Sequence, residues 1–148
     1  MIRIDINQKV GKTITKPFFT KWLKKILLVA NFKGSYEISV AIVGSQSMKK
    51  INYQSRGKNQ PTNVLSFAEV DVKNKKFIQS DGGYLGEVVI CYPIAVKQAK
   101  TSKIKVEDEV ARLFVHGMLH LLGYDHIKDS QAVVMEKIED KVLGGWIA

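Results

Sequence analysis

Cysteine, acidic residues and long apolar runs are all scarce in this chain, and each scarcity excludes something. Cys91 is the single cysteine among 148 residues, so no intrachain disulfide can form. That fits a reducing, cytoplasmic setting. No apolar run approaches the ~20 residues of a membrane span. The opening Met1-Ile2-Arg3-Ile4-Asp5 lacks the basic-then-apolar layout of a signal peptide. There is no internal repeat, low-complexity tract or linker, and the length suits one domain spanning residues 1–148. A chain this long can bury roughly 70% of its unfolded surface without disulfide staples. Acids number 14 against 23 basic residues, giving a net charge of +9. Such a surface attracts polyanions such as RNA. The basic residues are scattered in pairs such as Lys24-Lys25, Lys49-Lys50 and Lys75-Lys76, and no segment is a basic tail.

The periodicity predicts a mixed α+β domain with one small four-stranded sheet and about five helices. Ile2, Ile4 and Ile6 alternate with polar residues, as in a strand. Phe19, Trp22, Leu23, Ile26, Leu27 and Ala30 recur at helical spacing, with Pro17 suited to the first turn, Gly34 to the exit, and Lys21, Lys24 and Lys25 on the opposite face. Tyr36, Ile38, Val40 and Ile42 alternate as a second strand. Gly44 to Ser47 turns into a short helix through Met48 and Ile51, followed by a loop from Gly57 to Pro61. Val64 to Phe67 and Leu85 to Cys91 read as strands, with the polar stretch Lys73 to Gly83 as a mobile loop between them. Pro93 opens a helix through Ala99, and a longer one runs from about Val106 to Leu122, ended by Gly123. Asp129 or Ser130 would cap a last helix with Val134, Ile138 and Val142 on one side and Gly144 at its end.

Histidine is absent everywhere except in His116-Gly117-Met118-Leu119-His120-Leu121-Leu122-Gly123-Tyr124-Asp125-His126. His116 and His120 are four residues apart on a helix that is otherwise nearly all apolar, so they share one face with Cβ atoms roughly 6 Å apart. Gly123 turns the chain, and a short return can bring His126 to the same ion. Three imidazoles leave one position open on a four-coordinate Zn²⁺, which separates a catalytic from a structural site. Imidazole also binds Ni²⁺, Cu²⁺ and Fe²⁺. Unpaired buried imidazoles would each need a partner that this apolar helix scarcely offers. Gly117 occupies the position of the general-base glutamate in the HExxH peptidase motif, so peptidase chemistry lacks its base. The same glycine would let a strand or a substrate approach closely. Asp125 could orient a ligand imidazole, or simply be a turn residue. Cys91, in an expected strand, reads as a buried hydrophobe outside the site. Glu107 and Glu109 suit the positive end of a helix.

The string His-Gly-x-x-His-Leu-x-Gly-Tyr-Asp-His resembles the signature of the YbeY-type bacterial endoribonucleases, the ribosomal RNA maturation factors. Arg56-Gly57 followed by Pro61-Thr62-Asn63-Val64-Leu65-Ser66-Phe67 is similar to the R-G…P-T-D-V-L-S-F segment of that family. Leu85-Gly86-Glu87-Val88-Val89-Ile90, with Gln98-Ala99 after it, is similar to the family's L-G-D-I-x-I strand. Asn63 and Glu87 stand where the family usually and often has aspartate, so any proton-transfer role for position 63 is in doubt here. The resemblance implies a mixed sheet covered by helices and one Zn²⁺ held by His116, His120 and His126. It implies single-strand-selective cleavage of RNA in small-subunit (16S) ribosomal RNA maturation and ribosome quality control, with the ribosome or ribosomal proteins as partners. His116 would be catalytic, and Arg56 would neutralise the scissile phosphate. Two other classes remain open: a metal-stabilised ribosome-assembly or RNA-binding factor, and a metal-dependent hydrolase on another substrate such as a peptide, against which Gly117 argues.

Overall fold

The computed structural model describes residues 2–69 and 82–144. Its elements run β1 (Ile2–Gln8), α1 (Lys16–Val29), β2 (Ser35–Val43), α2 (Ser45–Arg56), β3 (Val64–Ala68), β4 (Gly82–Cys91), α3 (Tyr92–Ser102), α4 (Val106–Leu121) and α5 (Asp129–Leu143). The four strands form one mixed sheet in the order β1-β2-β4-β3. β1 and β4 both run parallel to β2, and β3 returns antiparallel to β4. This is the α+β architecture that the periodicity predicts.

Alternation along β4 divides the interior in two, because successive side chains of a strand point to opposite faces. Val88 and Ile90 join the larger core, with Phe19 and Trp22 of α1 and Phe114 and Met118 of α4. Val89 and Cys91 face the other way, against Met48 and Ile51 of α2 and Ile94 of α3. Burial on both faces explains why Leu85 to Cys91 is apolar enough to read as a buried strand, with Val88 to Cys91 wholly apolar. Cys91 is a fully buried core residue.

Several boundaries differ from the sequence expectation for local reasons. α1 exits through Asn31, at φ 61°, not through Gly34. The Phe32 and Asn31 amides donate to the carbonyls of Leu27 and Leu28 at 2.8 and 3.2 Å, closing the last turn before Gly34 is reached. α2 runs on to Arg56 and is closed by Gly57 at φ 74°, so the arginine ends a helix and does not float in a loop. The residue capping α5 is Lys128, with Asp129 as the first helical position, where its charge suits the helix dipole. Val134 is 51% exposed, and Met135 takes its place on the buried side of α5 beside Val142 and the partly buried Ile138. Gly82 and Gly83, expected in a loop, begin β4. The rest of the expected mobile loop, from Lys73 on, lies outside the described residues.

α4 is the element that positions the site. It packs on β3 and β4 through Gly117, where a Cβ would stand 2.8 Å from Val88 Cγ1 and 3.0 Å from Ser66 Oγ. The close approach anticipated at this glycine is therefore to strands. The Ser66 hydroxyl donates to the Gly117 carbonyl at 2.8 Å, pinning the helix to the sheet one residue beyond His116. Gly117→Ala should lower the denaturant midpoint. Overpacking of about 1–3 kcal/mol outweighs the gain of up to about 1 kcal/mol in helix propensity, because Val88 is fully buried and has nowhere to move.

Candidate metal centre

Three short-range devices bring the histidines together. The four-residue spacing puts His116 and His120 on one face of α4. Gly123, at φ 97°, then reverses the chain. The Tyr124 amide reaches back to the Leu119 carbonyl at 2.9 Å and the Gly123 amide to that of His120 at 3.0 Å. Finally, Asp125 Oδ1 accepts the backbone N–H of His126 at 2.7 Å, which sets the turn that carries the third ring inward. The ring centroids of His126 lie 5.4 Å from His116 and 5.0 Å from His120. One nitrogen from each of the three imidazoles falls within 4.8 Å of the other two.

The orientation of the first two rings is set from behind. His120 Nδ1 lies 3.0 Å from the Tyr124 carbonyl, which can only accept, so Nδ1 carries the proton. His116 Nδ1 lies 3.3 Å from Glu139 Oε2 and donates to that carboxylate in the same way. In the neutral rings both Nε2 atoms then carry lone pairs, and they face each other across 3.2 Å. Two lone pairs at that range repel unless a cation lies between them. For a tetrahedral ion with metal–nitrogen bonds of ~2.0–2.1 Å, the nitrogens stand about 3.3 Å apart. The residues present fit such an ion.

Asp125 is committed to its own turn, and the carboxylate behind a candidate ligand is Glu139, 23 residues beyond His116 on α5. Sequence reasoning missed this residue. The one available signal was its phase on the last helix, beside the partly buried Ile138.

The cluster opens on a groove of about 1320 Å³ whose lining includes Arg56, Asn63, Lys97, Arg112 and Glu139. Arg56 reaches the groove from the end of α2, with Nη2 donating to the Ser66 carbonyl at 3.4 Å. Ser66 thereby ties both Arg56 and Gly117 to one strand. Asn63 also lines the groove, but its Oδ1 accepts the Val64 amide at 2.7 Å. Glu87 pairs with Ser39 and Phe67 within the sheet and is not among the groove residues.

An α+β domain with three convergent imidazoles lining a groove that Arg56 and Arg112 share has the layout of a hydrolase. Comparison with known proteins makes that class specific. Residues 3–146 match the family described as Endoribonuclease YbeY, and the chain belongs to that family. It is 42% identical over 145 residues to the endoribonuclease YbeY of Persephonella marina, covering 97% of this chain and 92% of that protein. It is 39% identical to that of Buchnera aphidicola subsp. Schizaphis graminum, covering 97% and 87%. The solution structure of TM1509 from Thermotoga maritima superposes with a TM-score of 0.60 at 26% identity, covering 99% of this chain and 91% of that one.

The site also sets a pH dependence. Burial, and then the imidazoles of His116 and His126, push His120 below the ordinary 6.5, against weaker upward pulls from Asp125 and the Tyr124 carbonyl. A lowered pKa means that the unfolded chain binds the proton more readily than the folded one. The contribution to stability is complete above the unfolded value of 6.5 and is lost as pH falls below it towards the folded value. Metal-free protein should therefore melt at progressively lower temperature on acidification from pH 7.5 to 5.5, and His120→Gln should flatten that dependence.

Proposed function

We propose that this protein is a single-strand-specific, metal-dependent endoribonuclease that matures small-subunit (16S) ribosomal RNA and serves ribosome quality control. It works in the cytoplasm as a single domain, with the ribosome or ribosomal proteins as partners. His116, His120 and His126 hold one Zn²⁺ per chain, with His116 and Arg56 at the reacting phosphate. The observation that carries this reading is the convergence of three imidazole nitrogens within 4.8 Å in a groove that Arg56 also lines.

When bound, the metal supplies Lewis acidity towards a phosphate oxygen or a water. The chain's own residues do the remainder. Arg56 binds the scissile phosphate and offsets the charge that builds there in the transition state. Glu139 and the Tyr124 carbonyl accept from Nδ1 and so hold two ligand rings in the orientation and neutral tautomer that present Nε2 to a metal. The net charge of +9 draws the polyanion in. An unpaired strand can bend into an open groove where a stiff duplex cannot, which favours single-stranded RNA. A metal that merely staples the fold is disfavoured by the core around α4, where Val110, Phe114, Met118 and Leu119 are fully buried among apolar neighbours.

The double variant His116→Ala/His120→Ala should lose cleavage of single-stranded RNA yet still bind it. Arg56→Ala should keep its fold and lose about 10²–10³-fold in kcat, the scale of one removed charge-stabilising donor. Cleavage by the double histidine variant would contradict the metal mechanism. A large chelator-induced fall in melting temperature, without RNA cleavage under any condition, would favour the assembly-factor alternative.

A further inference from the structure

We propose that Arg112 is a second phosphate-binding arginine of this groove, gripping the RNA backbone beside the scissile phosphate and setting affinity more than rate. The inference rests on the nuclease reading above and extends it to a residue with no part in the histidine motif.

Arg112 sits on α4 four residues before His116 and eight before His120, so all three share one helix face. Its Cα is displaced from that of His116 by about 6 Å along the axis, a spacing on the scale of one nucleotide of backbone. It lines the same groove as the three histidines and Arg56. Its side chain is 50% exposed there, whereas that of Glu109, its ion-pair partner, is only 6% exposed. Glu109 Oε1 lies 3.6 Å from Arg112 Nε. Glu109 is the one acidic residue fully buried among those described.

This asymmetry distinguishes the pair from an ordinary helix-surface ion pair. An i,i+3 pair on a solvated face has both groups in water and adds little to a helix. Here the Glu109 side chain is largely covered although it too borders the groove, and covering a carboxylate is unfavourable unless a cation compensates it. The compensating contact is made at Nε. The Nη1 and Nη2 fork is left towards the groove, with no other protein partner among the described residues. A planar fork held at its base by a buried anion is a preorganised receptor for the paired oxygens of a phosphate. Lysine cannot offer that geometry. Arg56 approaches from α2 and Arg112 from α4, so the two arginines reach the groove on different elements and can hold successive phosphates of one strand. Neither contact reads a base, so the grip is independent of sequence.

The test uses a fluorescent single-stranded oligodeoxynucleotide as an uncut backbone analogue, together with steady-state cleavage of single-stranded RNA. Arg112→Ala should weaken oligonucleotide binding about tenfold, as expected for a lost charge-assisted contact. It should also reduce the slope of log K against log salt by about 0.7, the loss of one phosphate contact on a single strand. KM for RNA should rise in parallel, with kcat within about twofold of wild type. Arg112→Lys should recover the salt slope but only part of the affinity. Lys24→Ala, on the exposed side of α1, is the control for general charge loss. Removing Arg112 leaves Glu109 buried and unpaired, so Glu109→Gln/Arg112→Gln provides a variant without that charge, and it should show the same binding defect at near-normal melting temperature. The proposal is overturned if folded Arg112 variants bind and cleave like Lys24→Ala. If wild type cuts no RNA, the nuclease reading fails and this inference goes with it.

Discussion

Two lone pairs held face to face are the constraint on which this structure depends. His116 and His120 could each relieve the clash at 3.2 Å by rotating or by taking a proton on Nε2. Rotation is resisted from behind, by the Glu139 carboxylate and the Tyr124 carbonyl, which accept from the two Nδ1 atoms. Burial and the neighbouring rings disfavour a proton on His120. What remains is a cluster of nitrogen donors that could hold a divalent cation and that a third imidazole, from His126, completes. The fold holds open an electrostatic need, and the chemistry follows from whatever meets it.

Much of the remaining architecture serves to keep that need fixed in space. α4 cannot slide along the sheet because Gly117 sits directly against Val88 and Ser66, and the Ser66 hydroxyl holds its carbonyl. The same serine's carbonyl receives Arg56, so the arginine and the histidine helix are referenced to one strand residue. β4, buried on both faces, fixes that strand between two cores. The reversal at Gly123 and the local turn at Asp125 return His126 to the cluster. Glu139 makes α5 part of the site, although that helix carries none of the three imidazoles. Precision of this kind comes from rigid elements with short connections.

The legible parts of the site were those written locally. The four-residue spacing, the glycine turn and the absence of histidine elsewhere all lie within an eleven-residue stretch, and helical geometry converts them directly into proximity. β1 and β2 were equally legible from alternation, and β3 and β4 from short apolar stretches. Contacts that cross the chain were not legible. Glu139 is separated from His116 by 23 residues and from any motif by an ordinary amphipathic helix, so nothing in its neighbourhood marks it. Asp125, closer in sequence, was the natural candidate for that role and instead serves its own turn. Glu109 suited the positive end of a helix, and its burial beside Arg112 is a tertiary property that the spacing does not report. Two helix ends also escaped: Asn31 does the work expected of Gly34, and Lys128 caps the helix that Asp129 or Ser130 was expected to cap.

The central claim is that the chain carries one divalent ion on three imidazoles. Elemental analysis of the protein purified without an affinity tag tests it most directly. The account predicts close to one equivalent of zinc per chain in the wild type and a large loss of it in His126→Ala at unchanged secondary structure. Wild-type protein with no bound transition metal, and no uptake when supplied with Zn²⁺ at neutral pH, would contradict it.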